Sequence, residues 1–175
     1  MIDKLEILFP HIFDKECLMQ TSKKKIDLYD DKQQGRCYID GKGQTEFQVF
    51  NLSEKNIGFL AVDACLLSSS DPSRSDCMVF TDEVVCFIEL KICKRKNVKD
   101  NQKGATDQLE SFIQYFREND LDKDKKLEAY VCVNCIRTGE TISRVPRSAK
   151  DMSRQEVFLK KYKTKLLYKC EKEFL

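Results

Sequence analysis

The run VVCFIELKIC, Val84 to Cys93, constrains the fold more than any other stretch of the chain. It is rich in β-branched and aromatic residues and bounded by charged loops, the pattern of a buried strand. Inside it an acid, Glu89, and a base, Lys91, stand two positions apart. Successive side chains of a strand point to opposite faces, so these two share one. Charge in an apolar strand is costly unless it is paired. The pair therefore marks either a strand-end ion pair or a site of chemistry.

The neighbouring segments place that strand in a sheet. IGFLAVDACLL reads as a strand, SSSDPSRS as a polar loop, CMVF as a short strand and TDE as a turn. Three strands joined by short connections predict an antiparallel meander. The period then changes: GATDQLESFIQYFREN puts Leu109, Phe112, Ile113 and Phe116 on one helical stripe. NDLDKDKK reads as a turn and LEAYVCVNCI as a strand. Ser153 and Glu156 have capping-box spacing, which predicts a helix from about Arg154 to about Lys163, and LLYKCEKEF reads as a last strand. The order from residue 56 is β-β-β-α-β, then α-β. It predicts an α+β or α/β fold, with helices covering a mixed central sheet.

The first third is less regular. Residues 1–20 read as helical, with Ile2, Leu5, Leu8 and Phe9 at helical spacing and a break at Pro10. KKIDLY and RCYID read as short strands, and QTEFQVFNL as a strand with Phe47, Val49 and Asn51 on one face. The length of 175 residues suits one domain, with 1–50 an N-terminal elaboration and 51–175 the core.

Hydrophobic residues make up 41% of the chain, enough for a real core. No apolar run approaches the ~20 residues of a membrane span. MIDKLEILFP carries acids where a secretion signal needs bases, so the expectation is a soluble cytoplasmic protein with no membrane partner. Nine cysteines, an odd number without a secretion signal, argue against a disulfide framework. Cys65, Cys77, Cys86, Cys93 and Cys132 sit among apolar residues, where a thiol packs as a small hydrophobe. Cys132 and Cys135 form a lone C-x-x-C without the second pair a zinc site needs.

Net charge is +2, but residues 1–90 sum to −6 and residues 91–175 to +8. The excess gathers in two stretches, Lys91 to Lys103 with six bases and one acid, and Arg137 to Lys169 with ten bases and three acids. Such surface suits a polyanion, or is a solvated lysine-rich face. The single histidine, His11, lies far in sequence from other candidates, which argues against triad chemistry. There is no Gly-rich phosphate loop.

Carboxylate and lysine chemistry remains. Asp76 opens the CMVF strand, and a hairpin turning at Asp82–Glu83 brings it beside Glu89. Two close carboxylates repel unless a cation separates them, and hard Mg²⁺ takes oxygen ligands. Lys91 would orient the attacking water and stabilise charge on a phosphate.

These residues resemble the PD-(D/E)XK nuclease superfamily. Asp76 matches its first acid and Glu89-Leu90-Lys91 its E-x-K. Gln108, in ATDQLESF, stands where many members place a site-facing Gln, with Tyr115 seven positions on along the same helical face. SRSDCMVF, VCFIELK and DQLESF together look similar to small bacterial proteins of that fold. The likeness covers roughly residues 57–170. It departs at Ser75, where the superfamily often has Pro. The acid that some members carry on a first helix has no clear match; Glu46, Glu54 and Asp63 are candidates.

The resemblance implies a restriction-endonuclease-like core of αβββαβ order with extra terminal elements. It implies Mg²⁺ or Mn²⁺ held by Asp76 and Glu89, with the Leu90 carbonyl as a further ligand. Lys91 and Gln108 would complete the catalytic set, and Asp63 is an additional candidate acid. Lys94, Arg95, Lys96, Lys99 and Lys103 would meet the nucleic-acid backbone, that of DNA first, and a chain this small would dimerise or join a larger complex. A nuclease is thus one expectation. A module of the same fold that binds nucleic acid or a protein without catalysis is another, and a structural protein with surface ion pairs is a third.

Overall fold

The computed structural model describes residues 1–40, 45–67, 74–137, 140–142 and 149–175. Pro10 separates two short helices, α1 (Ile2–Leu8) and α2 (His11–Asp14). The helical reading fails beyond them. Glu16 turns the chain with a φ of 53°, and β1 (Leu18–Thr21) pairs antiparallel with β5 further on. Sheet pairing overrides the local apolar spacing there.

Three strands follow, β2 (Lys25–Asp31), β3 (Arg36–Ile39) and β4 (Phe47–Asn51), then β5 (Ile57–Ala61). β6 (Cys77–Phe80) and β7 (Val84–Cys93) form the expected hairpin, and β7 takes in the whole of VVCFIELKIC. The polar loop expected at SSSDPSRS lies largely outside the described residues. After a 3-10 turn at Arg95–Asn97 comes α3 (Val98–Glu118). It starts six residues before the apolar stripe suggested, so Lys99 and Lys103 ride on its first turns.

β8 (Lys126–Arg137), β9 (Glu140–Ile142) and α4 (Ala149–Tyr162) follow. Ser153 is inside α4 rather than at its cap, so its spacing to Glu156 is coincidental. LLYKCEKEF is not one strand but parts of two, β10 (Thr164–Leu167) and β11 (Glu171–Phe174), which join different sheets.

The fold is mixed α+β, with two mixed sheets and four helices among the described residues. The larger sheet runs β1-β5-β6-β7-β8-β10, with β9 on β8. β5, β6 and β7 are the antiparallel meander; β7 and β8 are parallel, and α3 makes the crossover such a pair requires. The smaller sheet is β11-β4-β2-β3. The expected division at residue 50 runs across both sheets. β1 belongs to the larger sheet, β4 crosses the boundary, and β11 from the C-terminus closes the smaller sheet.

The two faces of β7 meet different layers. Phe87 packs edge-on against Phe112 and Phe116 of α3, with ring centroids 5.6 and 5.0 Å apart. Alternation puts Glu89 and Lys91 on this helix face. The other face meets the smaller sheet. Phe47 sits edge-on to Tyr130, and Lys172 Nζ lies 2.7 Å from Glu128 Oε2. Among the described residues no helix is long and apolar enough to cross a membrane.

The cysteines depart from expectation. Cys77 and Cys86 are free and buried, but Cys17 joins Cys65 and Cys132 joins Cys170 as disulfides. Both links connect residues distant in sequence, which spacing within each segment does not reveal. The Cα–Cα distances of 5.7 and 4.8 Å are those a disulfide spans. The second link ties β8 of the larger sheet to the residue before β11 of the smaller one. Replacing Cys170 with Ser is expected to lower unfolding stability under oxidising conditions by about 2–4 kcal/mol. Urea denaturation with and without a reductant checks this: the reductant should erase most of the difference between the two chains.

Candidate functional site

Asp76 lies one residue before β6. There the antiparallel register, with Cys77 opposite Ile88, continues toward Glu89. The two acids lock together through main-chain donors. The Asp76 N–H donates to Glu89 Oε2 at 3.1 Å, and the Leu90 N–H donates to Asp76 Oδ2 at 2.6 Å. Lys91 forms an ion pair with Glu89 Oε1. The expected trio therefore converges at the carboxyl end of β7, beside its parallel neighbour β8. In open sheets, the carboxyl ends of parallel strands are where ligands bind.

Burial is uneven across the trio. The Glu89 side chain has no exposed surface, Asp76 is nearly buried, and the Lys91 side chain keeps 22% of its surface. Lys91 is thus the member of the trio that reaches the surface. Burial, and next the charge of Asp76, push the Glu89 carboxyl up to about 8. Burial pushes Asp76 up to about 6, against the pull of Lys91 and of the Leu90 N–H. Burial opposes the Lys91 charge, but Glu89 and Asp76 outweigh it and hold the ammonium above the usual lysine range. Both carboxyls thus hold protons more tightly than free acids do, while Lys91 stays charged beside them.

The other expected residues are placed as follows. Gln108 Nε2 donates to the Arg74 carbonyl at 3.3 Å, so it grips the main chain leading to Asp76 rather than either carboxylate. Tyr115, along the same face of α3, stacks on Phe112. Asp63 is not mid-strand. β5 ends at Ala61, Ala64 turns the chain with a φ of 55°, and the Asp63 carboxylate is held by Arg74 at 2.5 and 2.7 Å. That ion pair, not the acid pair, takes its charge. Glu54 is an exposed turn residue paired with Lys24. Lys94, Arg95, Lys96, Lys99 and Lys103 are all exposed and pair with no carboxylate among the described residues. They follow directly from the end of β7. The second basic stretch lies partly outside the described residues. His11 Nε2 is 3.1 Å from the Cys65 carbonyl and takes no part in the trio.

The smaller sheet adds groups that sequence reasoning passed over. Asp30, at the end of β2, and Lys32, just beyond it, act electrostatically on Asp76. Glu46 is the one weighed acid that belongs here. Its Oε1 accepts the Asp30 N–H at 3.4 Å, while Oε2 is a buried oxygen without a hydrogen-bond partner. Burial pushes its carboxyl up to about 7, with Asp30 and Asp76 adding to the effect. A signal for Asp30 and Lys32 was present. KIDLYDDK ends in an acid and a lysine two apart, as FIELK does.

No family model, curated protein or solved structure matches this chain.

Among the described residues no three His, Cys, Asp or Glu side chains are grouped as a metal-holding cluster. Asp76 and Glu89 alone offer two carboxylates, an all-oxygen set that suits a hard divalent ion completed by carbonyl and water. The donor chemistry fits Mg²⁺ or Mn²⁺ and not a thiolate-seeking metal.

The pH dependence of stability follows from these shifts. Asp76, Glu46 and Glu89 all bind protons more tightly folded than unfolded. Their contribution is therefore full below pH 4 and lost as pH rises through about 6, 7 and 8 respectively. Melting temperature is expected to fall from pH 5 to 8.5, and Glu89→Gln to flatten the upper part of that fall. Mg²⁺ should raise the melting temperature more at pH 8 than at pH 6, since it competes with the proton. Thermal melts across that range, with Mg²⁺ or EDTA, measure all three effects.

Proposed function

We propose that this chain is a metal-dependent nuclease that hydrolyses nucleic-acid phosphodiester bonds, with DNA its first substrate. The observation that carries the reading is the convergence of Asp76, Glu89 and Lys91 at one strand end, beside a basic run with no acid partners among the described residues. The resemblance to the PD-(D/E)XK nucleases supports it, and on that reading the larger sheet with α3 is the restriction-endonuclease-like core. Asp76 and Glu89, with the Leu90 carbonyl, would hold Mg²⁺ or Mn²⁺, which supplies charge neutralisation at the scissile phosphate.

The chain's own residues divide the remaining work. Lys91, the partly exposed member of the trio, would present its ammonium to the scissile phosphate and orient the attacking water. Gln108 fixes the segment that carries Asp76 and so positions the first acid. Lys94, Arg95, Lys96, Lys99 and Lys103 bind the backbone without reading sequence, so binding weakens with salt.

One observation favours a second reading, a binding module of the same fold. One oxygen of each carboxylate is already satisfied by a main-chain N–H, and Lys91 closes on Glu89. Acids held in this way by main chain and lysine also serve as a structural latch.

Cleavage assays on single- and double-stranded DNA and RNA with Mg²⁺ or Mn²⁺ separate the two. Cleavage by the wild type is expected, lost about a hundredfold or more in Lys91→Ala and Glu89→Ala. A wild-type chain that binds nucleic acid and cuts none of these substrates leaves the binding module. Equal cutting by Lys91→Ala removes that lysine from the site.

A further inference from the structure

The acid-x-lysine pattern occurs again on the smaller sheet. Asp30 and Lys32 are two positions apart and ion-paired, but unequally exposed: the Asp30 side chain keeps 9% of its surface and Lys32 keeps 65%. Strand register decides where this face looks. Asp30 is opposite Cys37, and the Cys37 thiol contacts that of Cys77, the residue after Asp76. The Asp30 N–H reaches Glu46 Oε1, and the Glu46 carbonyl accepts Asn134 Nδ2 of β8 at 3.0 Å. The β2–β3 hairpin therefore overhangs the end of the larger sheet that carries Asp76 and Glu89.

The hairpin holds its lysine on a closed turn. Gly35 takes a φ of 62°, which favours glycine, and its N–H donates to the Asp31 carbonyl at 2.7 Å. Asp31 Oδ1 accepts the Gln33 N–H at 2.9 Å. Arg36, also on the hairpin, is engaged elsewhere: it donates to the carbonyls of Lys15 and Glu16 and lies over the Tyr38 ring. Lys32 is exposed and paired with Asp30, and Asp30, Glu46, Asp76 and Lys91 are among the charged groups within its electrostatic reach. Three of those are acids. A lysine so placed keeps a phosphate-sized anion from being repelled at that approach.

We propose that Lys32 binds a backbone phosphate of the nucleic acid and positions it at the Asp76–Glu89 end from the smaller-sheet side, while Lys94 to Lys103 hold it from the β7 and α3 side. This rests on the nucleic-acid reading above. Lys32 is a positioning residue. Its ammonium is a flexible point charge that grips any phosphate, so the contact carries no sequence preference. The incoming phosphate competes with Asp30 for it.

Fluorescence anisotropy of labelled single- and double-stranded DNA and RNA tests this with the full chain in EDTA, where no cleavage intervenes. Lys32→Gln keeps the stem and removes the charge. It is expected to weaken binding several-fold and to reduce the slope of log affinity against log salt by about 1. Lys32→Arg should restore the slope, and Lys123→Ala, in the turn beyond the far end of α3, should leave binding unchanged. A merely structural lysine leaves the salt slope of a normally folded chain intact. Wild-type binding with an unchanged slope in Lys32→Gln, while Lys96→Ala weakens it, overturns the role of Lys32 and leaves the nucleic-acid reading standing. A wild-type chain that binds none of these nucleic acids overturns both.

Discussion

A carboxyl group without access to water, Glu89, organises this molecule. It survives in the interior because two neighbours answer it, the Asp76 N–H and the Lys91 ammonium, while burial raises its affinity for a proton. A buried acid without such partners would cost several kcal/mol. Its position fixes the register of β6 against β7, since a slip of one residue would send Glu89 and Lys91 to the face covered by the smaller sheet. The Asp76 carboxylate on the Leu90 N–H then closes the strand end from the other side. Fold specification and candidate chemistry thus rest on the same few hydrogen bonds.

The layers around that strand divide the labour. α3 supplies the apolar cover, with Phe112 and Phe116 against Phe87, and carries Gln108 and the first basic residues to the same end. The smaller sheet covers the opposite face and brings Asp30, Lys32 and Glu46 within electrostatic reach of Asp76. Its attachment is strong for its size. A disulfide, the Lys172–Glu128 pair and the Asn134 bond to Glu46 all cross between the sheets near β8. A site assembled from two sheets depends on that junction staying closed.

Elements with a strong local period were legible in the sequence. β6, β7, α3 and β8 fall where alternation and the helical stripe put them, and so do β2, β3 and β4. The trio of Asp76, Glu89 and Lys91 was legible for the same reason, because a hairpin turn and a period of two suffice to bring three residues together. Misreadings came where long-range pairing competes with local pattern. β1 was taken into a helix, the Ser153–Glu156 spacing mimicked a cap, and LLYKCEKEF concealed two strands of different sheets. Asp63 was aimed by an assumed strand that in fact ends two residues earlier. Asp30 and Lys32 repeat the spacing of Glu89 and Lys91, but only the tertiary fold brings them within electrostatic reach of Asp76.

By itself the sequence determined the strand that must be buried, the shared face of its acid and base, the amphipathic helix that follows, and a basic run placed just beyond. These depend on residues within a few positions of one another, where backbone periodicity alone sets direction. Tertiary structure decided what covers each face and which distant residues meet. It sent the C-terminal strand to the N-terminal sheet, joined Cys17 to Cys65 and Cys132 to Cys170, and brought Lys32 to the Asp76 end. Contacts across more than a hundred residues of chain, such as those of β4 with β11, leave no local period to read. They are chosen by which pairing buries the most apolar surface while leaving the fewest polar groups unanswered.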